Sequence, residues 1–437
     1  MPENAPNATS QMSLTSTPGI HRLPTEIIGH IFVIGCPTPN HELPVVDVRP
    51  FQHQVLVGSV CQLWRDIAHR WPALWTSAVV RYPRSRKDVA FREEMISLVL
   101  RRSGTLELDL SINLDVIPQS EIRESIHPFY DHIVPHLQRV HTLHLQCARN
   151  PFDLMSFSNV PELPKLRHFY IEGPFPSVEL ALPSCIKNSP LETFHCPAPC
   201  TLSIVPTSQL RRICISRPRA EQEHTRFINK CNGLRALTLL GQWSDDANIS
   251  SATLTHFNLY VVTLPAAILV DMPNLLHLHL HIHILRPSGT SWPPLPSLRS
   301  LSIPTSADSQ PLLAEISRVA PQLVALRINL ASVSDAVKFI RARREEEPDG
   351  RVRRKRLRLL VITRNFSMGG EEPLHVRWGD LSITPILHLW DPNVEAGWRL
   401  EQSINPIVID GVEIRRSIHA NHGDKDSFSA LADRITD

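Results

Sequence analysis

Four histidines in Leu276-His-Leu-His-Leu-His-Ile-His-Ile284 form the densest set of metal-capable side chains in the chain. Strict alternation puts His277, His279, His281 and His283 on one face of a strand and the apolar residues on the other. Two neutral imidazoles two residues apart on one face can converge on zinc, which takes four nitrogen, sulfur or oxygen ligands. No Asp, Glu or Cys lies close in sequence to complete the set, and His256 on a preceding segment is the further candidate. The stretch is therefore taken as an exposed histidine ladder, without metal or other cofactor, and a zinc site remains its alternative. His195-Cys-Pro-Ala-Pro-Cys200 offers only a lone Cys-x-x-x-Cys. There is no Gly-x-Ser-x-Gly elbow, Walker loop, dinucleotide fingerprint or His-Glu-x-x-His helix. No catalytic residue is assigned, and the chain is not expected to be an enzyme.

The basic run Arg351-Val-Arg-Arg-Lys-Arg-Leu-Arg358 is either a nuclear-localisation patch or the solvated turn before a strand at Leu357 to Thr363. Glu345, Glu346 and Glu347 blunt its field, and the formal net charge of the whole chain is only +2. Nucleic acid is not an expected partner. The longest nearly uncharged apolar run, Leu259 to Val270, contains Pro265 and is too short to cross a bilayer, so no membrane partner is expected either. The first twenty or so residues are Asn, Pro, Ser and Thr without an apolar signal region, which predicts a disordered start and a cytoplasmic protein, with the nucleus as the alternative. Eight cysteines lack framework spacing and suit a reducing compartment.

The elements that must position these residues show in a recurring pattern: apolar, two residues, apolar, one residue, apolar. It runs Val140-Leu143-Leu145, Leu166-Phe169-Ile171, Leu191-Phe194-Cys196, Leu210-Ile213-Ile215, Leu234-Leu237-Leu239, Leu254-Phe257-Leu259, Leu275-Leu278-Leu280, Leu298-Leu301-Ile303, Leu323-Leu326-Ile328 and Leu357-Leu360-Ile362. Thr105 to Ile112 is a candidate earlier, atypical strand. The shortest step is Leu191 to Leu210 and the longest Leu323 to Leu357; nearly all fall in or beside the ~20–29 residues of leucine-rich repeats. Helices are predicted at 120–139, 220–231, 308–319 and 334–344. Pro164, Pro273, Pro296 and Pro321 stand two residues before a repeat's first leucine, where they stop a helix and favour extended chain. Asn232-Gly233 can end the helix over 220–231 in the left-handed conformation.

No such unit buries its apolar face alone, so stacking is obligatory and a curved solenoid results. An ordinary open α/β sheet is the alternative. In a solenoid the residue between the last two apolar positions lines the concave face: His144, Tyr170, His195, Cys214, Thr238, Asn258, His279, Ser302 and Arg327. Two residues earlier lie Thr142, His168, Thr193, Arg212, Ala236, His256, His277, Ser300 and Ala325. From these columns His144, Tyr170, His195, Asn258, His277, His279 and Arg327 are the candidates for contact with a protein partner.

The chain opens differently, with His21-Arg-Leu-Pro-Thr-Glu-Ile-Ile-Gly-His-Ile-Phe32, then Val60-Cys-Gln-Leu-Trp-Arg-Asp-Ile-Ala68 and Trp71-Pro-Ala-Leu-Trp75. Leu23, Ile27, Ile28, Ile31 and Phe32 share one helical stripe behind Pro24, which suits a first turn. Leu56, Val57, Val60, Leu63, Trp64, Ile67 and Ala68 repeat the device in a second helix. Between them Pro37 to Pro50 is expected to loop out. A pair this small needs a further surface to cover it.

From Leu23 to Trp75 these residues resemble the F-box, in the divergent F-box-like form common in basidiomycete fungi. The resemblance implies docking on the Skp-family adaptor of a cullin-RING (SCF) ubiquitin ligase. Its implied adaptor contacts are Leu23, Pro24, Ile27, Ile28, Ile31, Phe32, Val60 and Trp64. Trp71, Leu74 and Trp75 would instead seat the F-box on the segment Val89 to Leu100.

The expected fold class is α/β: a small N-terminal helical F-box followed by a leucine-rich-repeat-like α/β solenoid. The expected divisions are a disordered 1–20, an F-box-like 21–80, a helical linker with a first atypical repeat at 81–135, the solenoid at 136–400 and a cap and tail at 401–437. The expected function is substrate recognition for an SCF-type ligase, with the adaptor, through it a cullin, and an unidentified target protein as partners. The alternatives are a repeat scaffold outside any ligase and a zinc-dependent hydrolase built on the histidine strand.

Overall fold

The computed structural model describes residues 19–36, 52–81, 86–113, 132–146, 162–172, 180, 182–196, 200, 202–216, 221–241, 249–263, 272–284, 292–303, 309–329, 359–363, 407–409 and 412–417. The predicted disordered start, the Pro37–Pro50 insert, the helix at 334–344 and the basic run at 351–358 lie outside these residues.

Helix α1, Thr25–Gly35, starts one residue later than Pro24's expected place in the first turn. Pro24 is the capping residue, with extended backbone, and its carbonyl accepts the Ile27 and Ile28 N–H groups at 3.0 and 3.1 Å. The single second helix expected from the apolar spacing is two helices, α2 (Gln52–Val60) and α3 (Gln62–Arg70). Cys61 between them is extended (φ −161°, ψ 171°), and its carbonyl restarts the ladder by accepting Arg65 N–H at 3.0 Å. The Arg65 side chain turns back to donate from Nε to the Gly58 carbonyl (2.9 Å), satisfying one of the acceptors freed at the end of α2. Apolar spacing runs through the break unchanged, which is why it was invisible in the sequence.

A 3₁₀ turn, Pro72–Trp75, follows α3 and buries Leu74 and Trp75. Trp75 Nε1–H donates to the Ala68 carbonyl at 2.7 Å. The Arg102 guanidinium lies 4.6 Å from the Trp75 ring centroid, at the end of α4, Arg86–Arg102. Trp75 thus ties the N-terminal helices to the end of α4, through Arg102, which lies just past the expected segment Val89 to Leu100. Gly104, at φ 59°, takes the left-handed conformation just past α4.

The chain then builds one fourteen-stranded sheet. Strands β1 (Ser77–Arg81), β2 (Leu108–Asn113), β3 (Val140–Gln146), β4 (His168–Glu172), β5 (Thr193–Cys196) and β6 (Arg212–Ser216) lie side by side in chain order. So do β7 (Ala236–Leu240), β8 (His256–Thr263), β9 (His277–Ile284), β10 (Ser300–Ile303), β11 (Ala325–Asn329) and β12 (Leu359–Thr363). All these pairings are parallel, as is β12 with β14 (Val412–Ser417); β13 (Ile407–Ile409) adds an antiparallel edge. The protein is an α/β protein with a long, sequentially ordered parallel sheet. That sheet begins at Ser77, well before the expected boundary at 136, and its first strand crosses the boundary at 80.

Parallel neighbours need crossover connections. Where described, these are α4 between β1 and β2, the helices Glu221–Lys230 and Ser309–Val319, and short 3₁₀ turns such as Ser184–Ile186 and Leu202–Ile204. The helices Glu221–Lys230 and Ser309–Val319 match two of the predicted ones; the helix expected over 120–139 ends, in its described part, as the 3₁₀ turn Val134–Arg139.

Several strands are entered through one recurring turn. Leu166, Leu275, Leu298 and Leu323 donate their N–H to the carbonyls of Leu163, Met272, Leu295 and Ala320, at 3.1–3.2 Å. Pro164, Pro273, Pro296 and Pro321 occupy the second place of these four-residue turns, where a fixed φ is an advantage. Proline therefore sets a turn here, beyond merely stopping a helix. Leu234 N–H bonds to the Cys231 carbonyl in the same way (3.1 Å), and Gly233 is not left-handed as expected.

The register aligns the repeats as their spacing predicts. Leu143, Phe169, Phe194, Ile213, Leu237, Phe257, Leu278, Leu301, Leu326 and Leu360 are successive partners across β3 to β12. Those from Leu143 to Leu326 are buried in one continuous core with the N-terminal helices. Each such side chain contributes roughly 1.5–3 kcal/mol by leaving water.

Candidate interaction surfaces

Two surfaces stand out, one apolar and one polar. The first belongs to α1–α3. Helix α1 buries Ile28, Gly29 and Phe32, and Phe32 packs on Trp64 with ring centroids 4.9 Å apart. Its other face leaves Ile27, Ile31 (42 %) and Ile34 (84 %) open to solvent, at intervals of three and four that align them along one side, and Leu23, just before the helix, is exposed too. On α2 and α3, Val55, Leu56, Val60 (59 %) and Leu63 are also exposed. So many exposed aliphatic side chains on so short a segment exceed the scattered apolar surface of ordinary proteins.

This divides the expected adaptor contacts. Leu23, Pro24, Ile27, Ile31 and Val60 are exposed, and Trp64 is half-buried. Ile28 and Phe32 are core residues, fully covered by the unit's own packing, and cannot be surface contacts. A broad apolar stripe looks uniform in sequence, but a helix packed on one side buries only part of it. Ile34, Val55, Leu56 and Leu63 join the surface instead. The indole of Trp71 packs on α1, over Gly29 and edge-on to His30 (5.4 Å).

The second surface is the polar face of the sheet. The register brings His144, Tyr170, His195, Cys214, Thr238, Asn258, His279, Ser302 and Arg327 into one row, and the row two residues earlier is equally continuous. Neighbouring rungs bond to each other: Ser111 Oγ with His144 Nδ1 (3.3 Å), His168 Nδ1 with Thr193 Oγ (3.1 Å), Asn258 Nδ2–H to Thr238 Oγ (3.3 Å). His277 Nδ1 shares a 2.7 Å hydrogen bond with Ser300 Oγ, and its ring stacks on His256 at 4.4 Å. His144 Nε2 lies 3.3 Å from Glu172 Oε2.

The ladder is less open than its sequence suggests. His144 (3 %), Tyr170 (8 %) and His277 (4 %) are buried, because side chains on strands about 5 Å apart cover one another. These three candidate contacts are structural rungs. His195, Asn258 and His279 are half-buried and reachable; Arg327 keeps its place in the row, and its side chain lies outside the described residues. Among the described residues no three His, Cys, Asp or Glu side chains come close enough to hold a metal ion.

One column escaped the sequence reading. The residue just after each repeat's first leucine joins consecutive units through its backbone: Arg235 N–H to the Arg211 carbonyl (2.8 Å), Arg211 N–H to Glu192 (2.8 Å), Glu192 N–H to Arg167 (2.8 Å). Arg167, Arg211, Arg235 and Arg299 recur there, a periodic signal present in the sequence one place before the column that begins at Thr142.

Burial raises the thiols of Cys185 and Cys231 to about 11 and about 12, so both stay protonated at physiological pH. Among the described residues no helix is long and apolar enough to cross a membrane. No family model matches the chain, and no curated protein matches it.

Proposed function

We propose that this chain is a substrate receptor of an SCF-type ubiquitin ligase, with an F-box-like unit at α1–α3 and a leucine-rich-repeat-like solenoid formed by the sequential sheet. The observation that carries the reading is the exposed aliphatic row Ile27, Ile31 and Ile34, with exposed Leu23 before it, beside exposed Val55, Leu56, Val60 and Leu63. These residues fall in the segment whose motif resembles the F-box, and they are the ones left uncovered once Ile28, Phe32, Ile67 and Ala68 have closed the unit's own core. An adaptor helix pair laid on that surface would supply the missing cover.

In this reading a Skp-family adaptor, and through it a cullin, holds the α1–α3 end. The polar face of the sheet holds a target protein. The chain performs no bond chemistry; it raises the effective concentration of the target's lysines beside the charged enzyme. The compartment is the cytoplasm, with the nucleus as alternative through the basic run at 351–358. Retention of the purified full chain by an immobilised Skp-family adaptor tests the reading. A folded chain that the adaptor does not retain would favour the scaffold reading, in which the helices only cap the sheet.

A further inference from the structure

Arg211 and Arg235 occupy equivalent places on adjacent rungs of the sheet. The 2.8 Å hydrogen bond from Arg235 N–H to the Arg211 carbonyl holds their backbones one strand spacing apart, about 5 Å. Both side chains are exposed, and so is that of Arg212, which begins β6 on the polar face. Among the described residues no carboxylate pairs with Arg211 or Arg235. Glu192, the neighbour of Arg211 on its other side, is engaged by Arg167 at 3.1 Å. Like charges opposite each other on neighbouring strands repel. The fold keeps these two together without a described acidic partner. Strands β5 to β9 contain no Asp or Glu at all. Next to the arginines their polar face offers small neutral hydrogen-bonding groups instead, Thr238 and Asn258, both half-buried.

We propose that this entry edge of β6 and β7 anchors an extended, carboxylate-rich segment of the target protein, lying across the strands with its acidic side chains on Arg211, Arg212 and Arg235. The inference rests on the reading of the sheet as the target-binding surface. Guanidinium forks pair with carboxylates through two parallel hydrogen bonds, which gives geometry as well as attraction. The three arginines lie at two different levels, two on the entry edge and one on the face, so each suits a separate single charge. One phosphate, with a charge near −2, is better served by guanidiniums converging on a single point. A nucleic acid would require a longer basic track than two rungs provide.

Fluorescence anisotropy with the full chain tests the proposal, using as probe a labelled peptide of alternating Glu and Ser. The controls are its Gln-for-Glu counterpart, the same Gln peptide phosphorylated on serine, and a single-stranded oligonucleotide. The Glu peptide binds at least about tenfold tighter than the Gln peptide, and added salt weakens it. The double variant Arg211→Ser/Arg235→Ser loses about tenfold or more, and Arg212→Ser loses less. Failure of the Glu peptide to bind, equal binding of the Gln peptide, preference for the phosphopeptide or oligonucleotide, or indifference to the double variant would each overturn it. Adaptor retention in the same preparations separates the two readings. Retention without acidic-peptide binding removes this inference alone; peptide binding without retention removes the ligase reading and leaves an acidic-segment receptor.

Discussion

The indole of Trp71 lies so close over Gly29 that a β-carbon there would stand 2.6 Å from the ring carbon Cδ2 and within 2.8 Å of two more. Alanine at position 29 must push Trp71 off α1 or tilt the helix. Gly29→Ala is expected to destabilise the α1–α3 unit by about 1–3 kcal/mol despite its better helix propensity. Urea unfolding followed by tryptophan fluorescence measures this, and a more stable variant would contradict the packing described.

The apolar column through the sheet makes a sharper stability prediction. Phe194 is fully buried between Phe169 and Ile213, with the Phe169 ring 6.2 Å away. Phe194→Ala is expected to cost about 3–5 kcal/mol. Because each unit is held mainly by its two neighbours, loss at this rung should also broaden the unfolding transition. Calorimetry reads both effects; a small loss with an unchanged transition would mean that the rungs are not coupled in this way.

Burial governs thiol reactivity. Cys185 and Cys231, with pKa values pushed up to about 11 and about 12, should resist alkylation by iodoacetamide at mildly alkaline pH in the folded chain. They should react fully in urea. Peptide mass spectrometry of the two states distinguishes them, and rapid native labelling of Cys231 would show that the core around it opens.

Glu315 ties the helix Ser309–Val319 to the segment that leads into β10, accepting the Trp292 N–H at 2.8 Å, and also accepts Arg318 Nε–H at 2.9 Å. The hydrogen bond from Arg318 lowers its pKa first, assisted by the one from Trp292. A carboxylate with a depressed folded-state pKa adds stability above its unfolded pKa and loses it as pH falls through the folded value. The melting temperature of Glu315→Gln should therefore lie below wild type at neutral pH and converge with it in acid. Parallel curves at all pH values would exclude this role.

Much of the sheet was legible because its signal is redundant. Each triad such as Leu234-Leu237-Leu239 repeats the same spacing, and hydrogen-bonded neighbours then force one register, so a single misread unit cannot shift the rest. The N-terminal unit had no such redundancy. Nothing in the apolar spacing marked the break at Cys61, whose extended backbone is set by Arg65 and Gly58 around it. Whether Ile28 or Ile31 faces the core depends on how α1 packs against α3 and the Pro72–Trp75 turn, a tertiary choice that a wide stripe leaves open. The burial of His144 and His277 was hidden for a related reason: alternation gives the face of a side chain, and the width of its neighbours decides whether water reaches it.

Ile31 supplies the decisive variant because it is 42 % exposed on α1 while Ile28, one turn away, is fully buried. Ile31→Asp should leave the unfolding midpoint nearly unchanged, within about 0.5 kcal/mol, whereas Ile28→Asp should unfold the unit. The measurement is retention of the folded wild-type and Ile31→Asp chains by immobilised Skp-family adaptor, with circular dichroism as the check on folding. The ligase-receptor reading predicts that the adaptor retains the wild type and loses Ile31→Asp. Equal retention of both, or none of a well-folded wild type, would contradict it.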